Sequence, residues 1–213
     1  MATKTEIISQ LDFSPRRLTA SEALSFRSRL AGESPNNILE ICRDPSQITI
    51  SLAALLFDQG KGTLTTFNSA ANSGGKQAKR YLSEHELTPY VFSIAYGRAY
   101  SWALERIVAS DERQEFDICV LNGNKSWDQT SQNALMADML LRPGGLMVLM
   151  DQNWSMADSP HFKREPELTK NYDTDELNSK PVKLTVDLVL SHLNYQKISA
   201  PELEHIAFSR KPL

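Results

Sequence analysis

Cysteine is almost missing from this 213-residue chain, with only Cys42 and Cys119 present. Two thiols give neither a disulfide framework nor a thiolate zinc site, and the expectation is two buried thiols in a reducing compartment. Glycine is sparse too, at nine residues, and none occurs between Cys42 and Gly60. The chain carries no GxGxxG, no GxxxxGK[ST] and no GxSxG. These absences argue against a standard dinucleotide-binding dehydrogenase, a P-loop nucleotide triphosphatase and a hydrolase with a nucleophile elbow. Positive charge is not in excess: 23 Lys and Arg stand against 26 Asp and Glu, for a net charge of -3. Without a basic stripe, no nucleic acid partner is expected. No apolar run approaches the ~18 residues of a membrane helix, and the opening MATKTEIISQ is polar. Neither a membrane span nor a secretory leader is therefore expected, and a cytoplasmic location is the default.

What is present is an alternation of short apolar runs with helical segments. Residues 1–35 read as a helical lead-in, with one turn around Ile7 to Leu11. Thr19 and Glu22 have the spacing of a capping box that opens a helix to Ala31, with Gly32 as the stop. Strand-like runs then begin at Asn37, Gly62, Pro89, Phe116 and Leu146, separated by helices over 45–57, 75–84 and 99–110 and by a helix that follows Ser126. Apolar strands alternating with helices imply parallel βαβ units covered on both faces. The end of the chain differs. Val186, Val189, Leu190 and Leu193 fall at helical spacing, and the strands 195–199 and 205–209 follow with no helix between them. The expected fold is a three-layer, doubly wound α/β sandwich with a mostly parallel seven-stranded sheet and an antiparallel C-terminal hairpin. With 41% hydrophobic residues, the chain is long enough for one sizeable core, so 1–213 is taken as a single domain. Residues 155–180, polar and without periodicity, are expected to be a lid or a disordered loop.

The fourth and fifth strands deliver Asn122-Gly-Asn-Lys125 and Asp151-Gln-Asn153 to one edge of the sheet, where open α/β folds bind ligands. Asp151, at the end of a central strand, is the candidate to orient or deprotonate a substrate hydroxyl. Trp127 and Trp154 offer flat apolar walls, and His161 in the loop offers a base. After the first strand, Asp44 is placed to cap the next helix, with Pro45 in its first turn and Gln47 as capping partner. Ser126 and Gln129 make a further capping box. One carboxylate beside amides is a poor Mg²⁺ site, so no metal is expected.

These segments, from Asn37 to Pro212, resemble class I S-adenosylmethionine-dependent methyltransferases. Ile38-Leu-Glu-Ile-Cys42 is similar to that family's first strand, Gly60-Lys-Gly62 to its second-strand entry, and Leu141-Arg-Pro-Gly-Gly145 followed by LMVLMD to its fifth strand. Asn122 to Lys125 and Asp151 to Asn153 resemble the small-molecule O-methyltransferases of the catechol and caffeoyl-CoA type. The resemblance implies a Rossmann-like methyltransferase fold, S-adenosylmethionine as cofactor and a small-molecule substrate; a homodimer is left open. The cofactor positions it implies are Glu40, Cys42, Asp44, Asn68, Gly97, Arg98, Asn122 and Gly123, with Asn153, Trp154 and His161 toward substrate. This chain departs from the family at its ligand edge. The glycine-rich first turn is missing, Asn68 replaces the ribose-binding acid, and Arg98 stands in the Gly-Asp-Ala motif. Asn122 and Asn124 replace two further acids. Whether the chain is an enzyme, a non-catalytic binding or assembly module, or an enzyme turned to an anionic ligand, which Arg43 and Arg98 would favour, stays open at this level.

Overall fold

The computed structural model describes residues 18–70 and 75–213; the turn expected around Ile7 to Leu11 lies outside them. The first helix, α1 (Ala20–Ala31), opens on the capping box that the sequence implies. The Thr19 side chain accepts from the Glu22 N–H, and the Glu22 carboxylate accepts from the Thr19 N–H at 2.7 Å. The chain then alternates β1 (Asn37–Cys42), α2 (Gln47–Gln59), β2 (Thr63–Ser69), α3 (Lys76–Glu84), β3 (Val91–Tyr96), α4 (Tyr100–Val108), β4 (Phe116–Asn122), α5 (Trp127–Asp138) and β5 (Leu141–Leu149). Short helices α6 (Pro160–Arg164) and α7 (Thr174–Asn178) follow. Next comes α8 (Pro181–Leu184), which runs on through a wider π-helical stretch, Thr185–Leu190, before the hairpin strands β6 (Gln196–Ile198) and β7 (Ala207–Arg210).

The seven strands form one sheet in the order β3-β2-β1-β4-β5-β7-β6. β1 to β5 are parallel to their neighbours, and β7 runs antiparallel between β5 and β6. Strand alternation divides the core in two. Ile38, Leu64, Ile118, Val120 and Val148 pack with α1, α2 and α3, while Leu39, Ile41, Phe67, Cys119 and Leu149 pack with α4, α5 and α8. The three-layer sandwich expected from the sequence is thus the observed one.

Two local expectations give way. Pro143, Gly144 and Gly145 lie inside β5, which starts at Leu141 and not at Leu146. Leu141 pairs with Phe116 and Leu146 with Ile118, so the extra residues bulge out of the ladder. Pro143 lacks an N–H to give to the ladder, and Gly144, at φ +69, supplies the turn back. The C-terminus covers the bulge, with Gly144 N–H donating to Pro212 O at 3.2 Å and Lys211 N–H to Gly145 O at 2.9 Å. Residues 155–180 are also not featureless: they hold α6 and α7, and Ala157 N–H donates to Leu177 O at 3.0 Å. Cys42 and Cys119 are free and buried. They sit out of register on β1 and β4, with Cys119 opposite Leu39 and Cys42 opposite Asn122.

Candidate functional site

The chain reverses direction across the sheet between β1 and β4, and the site is built from the strand ends beside that point. Beneath it lies a buried polar layer centred on Glu40, which is fully buried. Thr49 of α2 donates its hydroxyl to Glu40 Oε2 at 2.6 Å, and Thr66 of β2 donates to the same oxygen at 3.0 Å. Asn122 of β4 donates from Nδ2 to Glu40 Oε1 at 3.0 Å and to Ser46 Oγ at 3.2 Å. A buried carboxylate is tolerated when several donors satisfy it. That requirement explains the amide at 122, because an acid there would bring a second acceptor where Glu40 needs a donor. Cys42 joins the same layer, its Sγ 3.1 Å from Thr66 Oγ1. Burial, with Glu40 close by, pushes the Cys42 thiol well above its ordinary range.

The turn after β1 closes without glycine. Tyr96 at the end of β3 donates its hydroxyl to Arg43 O at 2.6 Å, and Asp44 Oδ1 accepts the Ser69 N–H at 3.1 Å. Asp44 is therefore not the cap of α2. Ser46 is, in extended backbone, with Thr49 and not Gln47 as its capping-box partner. The physical reason is tertiary: once β2 pairs with β1, the free N–H at Ser69 competes for the Asp44 carboxylate. Gln47 is used elsewhere, donating to Leu18 O and accepting from Leu18 N–H, both at 3.1 Å. Pro45 is buried, and so close to Gly75 that a Cβ on that glycine would lie 2.8 Å from the proline ring.

On the β4 side, the Tyr100 hydroxyl accepts from Asn133 Nδ2 at 3.0 Å and from the Asn124 N–H at 3.3 Å. It passes beneath Gly123, where a Cβ would come within 2.7 Å of it. Asn124 Oδ1 accepts the Ser126 N–H at 2.9 Å, which replaces the expected box between Ser126 and Gln129: the Ser126 side chain makes no cap bond. Trp127 in the first turn of α5 is exposed and is not among the residues lining the cleft described below. Next along the edge, Lys125 donates to Met150 O at 2.9 Å and sits 3.1 Å from Asp151 Oδ2. Asp151 adopts φ +61, a left-handed conformation that aspartate tolerates better than most residues.

Beyond Asp151 the expected substrate residues are engaged with the fold. Asn153 Nδ2 and Gln152 Nε2 both donate to Glu204 O, at 3.3 and 2.7 Å. The Gln152 N–H donates to His205 O at 2.8 Å, so His205 borders this edge. The antiparallel course of β7 brings its start there. Trp154 makes an edge contact with Phe162 of α6, with ring centres 6.3 Å apart. His161 is exposed and faces Glu165 at 3.4 Å.

Two buried acceptors on these strands, Asn68 Oδ1 and Asn122 Oδ1, have no hydrogen-bond partner among the described residues. They lie on β2 and β4, the strands flanking β1. At Ser69, the residue after Asn68, opens a cleft of about 470 Å³ lined also by Arg43, Tyr96, Arg98, Tyr100 and Asn124 among others. Gly97 also borders it, and its Cβ position is open space. The structure thus gathers Arg43, Ser69, Gly97 and Arg98 around one cleft, and Glu40, Cys42 and Asn122 into the layer beneath. Tyr96, Tyr100, Thr49 and Lys125 are the participants that motif reading did not single out. Of these only Lys125 carried a signal, as the last residue of Asn122-Gly-Asn-Lys125. Among the described residues no group of three or more His, Cys, Asp or Glu side chains could hold a metal ion, and no helix is long and apolar enough to cross a membrane.

No family model matches this chain, and no curated protein does. Solved structures do match. The O-methyltransferase TomG from Streptomyces achromogenes, in complex with SAM, is 16% identical; the match covers 100% of this chain and 91% of that one, with a TM-score of 0.65. An O-methyltransferase from Bacillus cereus in complex with SAH is 14% identical, with 99% and 92% covered and a TM-score of 0.60. The SAH-bound methyltransferase PaMTH1 from Podospora anserina is 13% identical, with 98% and 86% covered and a TM-score of 0.62. At such identities the likeness establishes the fold, and this chain has the Rossmann-like methyltransferase fold over essentially its whole length.

Proposed function

We propose that the protein is an S-adenosylmethionine-dependent methyltransferase, a single domain acting on a hydroxyl group of a small molecule. The observation that carries this reading is the 470 Å³ cleft at the ends of β1, β2 and β3. It stands beside the topological switch point of a fold whose solved relatives include cofactor-bound O-methyltransferases, and its size lies within the roughly 300–1,000 Å³ of small-molecule sites. The nucleoside half of the cofactor fits the residues present. Asn68 Oδ1 is a buried acceptor with no partner among the described residues, as a ribose hydroxyl requires, and Gly97 leaves room for a flat base. Asn68, Gly97, Tyr96 and Ser69 would hold the nucleoside, and the cofactor's sulfonium would supply an electrophilic methyl group. The protein's own part is mainly positioning. Lys125 holds the Asp151 carboxylate at the strand edge, where Asp151 would orient an acceptor hydroxyl and take its proton. Trp154, backed by Phe162, would border the acceptor side beneath residues 155–180.

A second reading, a non-catalytic module that keeps the fold, is favoured by one specific observation: the Glu40 carboxylate, Asn122 Nδ2, Asn124 Oδ1 and Asn153 Nδ2 all make internal hydrogen bonds. Calorimetric titration with S-adenosylhomocysteine separates the two. Saturable binding that is weakened about tenfold by Asn68→Ala supports the cofactor site. No heat and no thermal stabilisation at millimolar ligand would sink it, because a ligand that binds only the folded state must stabilise it.

A further inference from the structure

The charge of the cleft is not used by methyl transfer. Arg43 and Arg98 both line it, and among the described residues no carboxylate does. The acid adjacent to Arg43 in sequence, Asp44, spends Oδ1 on the Ser69 N–H. Neither guanidinium forms an ion pair with a described residue. The two arginines are tied to one place by the backbone, since Tyr96, two residues before Arg98, holds the Arg43 carbonyl at 2.6 Å. Ala99, Tyr100 and Ser101 also line the cleft. They form the start of α4, which has no side-chain cap and no acid in its first turn, so its leading N–H groups are open to a ligand. Ser69 and Ser101 add two hydroxyls.

Two guanidinium groups, two hydroxyls and an uncapped helix start offer more donors than the two oxygens of a carboxylate use. They match the three oxygens and double charge of a phosphate. A sulfonium cation, by contrast, gains nothing from two arginines. The volume is too large for phosphate alone and suits a phosphate joined to a nucleoside. We infer that this cleft binds a phosphate-bearing nucleoside, its phosphate held between Arg43 and Arg98 at the start of α4, in competition with S-adenosylmethionine. The inference rests on the nucleoside part of the function proposed above.

The test is calorimetry on the full chain with adenosine monophosphate, adenosine, inorganic phosphate and S-adenosylhomocysteine, repeated for Arg43→Ala and Arg98→Ala. Both side chains are exposed, and thermal unfolding of each variant checks that it is folded. Adenosine monophosphate is expected to bind roughly tenfold or more tighter than adenosine, and each arginine variant to lose about tenfold for the nucleotide and little for adenosine. Raising NaCl from about 50 to about 300 mM is expected to weaken the nucleotide alone, and the nucleotide is expected to displace S-adenosylhomocysteine. Equal affinity for nucleotide and nucleoside, or arginine variants that keep nucleotide affinity, overturns the inference. Phosphate binding as tightly as the nucleotide overturns its nucleoside part. S-adenosylhomocysteine binding with no nucleotide advantage overturns the inference and leaves the methyltransferase reading standing. A nucleotide advantage without S-adenosylhomocysteine binding does the reverse.

Discussion

Replacing Asn122 by aspartate restores an acid at a position where the resemblance implies one, and the structure predicts that the protein will not accept it at neutral pH. Asn122 is 5% exposed and Glu40 fully buried, with Nδ2 3.0 Å from Glu40 Oε1. Asn122→Asp removes the donor and sets two carboxyl groups at that distance. Loss of a hydrogen bond to a charged group costs about 1.5–3 kcal/mol. Two charges ~3 Å apart repel by about 5 kcal/mol at an effective dielectric constant of 20. The pair avoids most of the repulsion by keeping one proton, as closely spaced carboxyl groups do. That proton costs about 1.4 kcal/mol per pH unit above the ordinary carboxyl value. The introduced group therefore titrates higher in the folded than in the unfolded state. Its stability is complete below the unfolded value, near pH 4, and is lost as pH rises through the folded value. When protonated, it can donate to Glu40 in place of the amide.

The expected deficit is about 3–5 kcal/mol at pH 8. For a chain of this size it lowers the midpoint of thermal unfolding by roughly 6–20 °C, and it falls by at least about half at pH 5. Asn122→Ala, which removes the donor without adding charge, should show a smaller deficit that changes less between the two pH values. Thermal unfolding followed by circular dichroism at the two pH values measures all three proteins. Wild-type stability for Asn122→Asp at pH 8, or the same deficit at both pH values, would refute the account of Asn122 as the donor to a buried Glu40.

Two further outcomes test the scaffold around the cleft. Glu33, just past α1, receives both Arg210 guanidinium nitrogens at 2.6 Å, and that hydrogen bonding holds its carboxyl below the usual range despite partial burial. Glu33→Gln should cost on the order of 1 kcal/mol at neutral pH, allowing for solvent screening. Because the folded value is depressed, the difference from wild type should fade as pH falls below about 4 in denaturant titrations; a difference that persists at pH 3 would contradict it. Gly123→Ala should displace Tyr100, whose hydroxyl occupies the space of the added methyl. It should lower stability by about 1–3 kcal/mol, with part recovered in the double variant with Tyr100→Phe. Strict additivity in that cycle would show that the two residues do not meet.

The division of information between chain and fold can be read residue by residue. Thr19 and Glu22 formed the box their spacing implies because both partners lie within one turn of helix, and the distant His205 meets only the other carboxylate oxygen of Glu22, at 3.5 Å. The apolar alternation was likewise enough for the sheet and its two helical layers, since burial of a strand depends on its own side chains. Even the amides at the ligand edge were visible in the sequence. Their meaning was not. Glu40 takes its donors from nine, 26 and 82 residues away, and no local pattern encodes that meeting. Asp44 read as a cap because Pro45 follows it, yet the N–H at Ser69, 25 residues on, claims its carboxylate. The cleft is bordered by Tyr96 and Tyr100, which reach across to the residues just past β1 and β4. Periodicity and capping act over one turn of chain and are legible there. The partners of a buried charge, and the room left beside them, are settled only when the strands come into register.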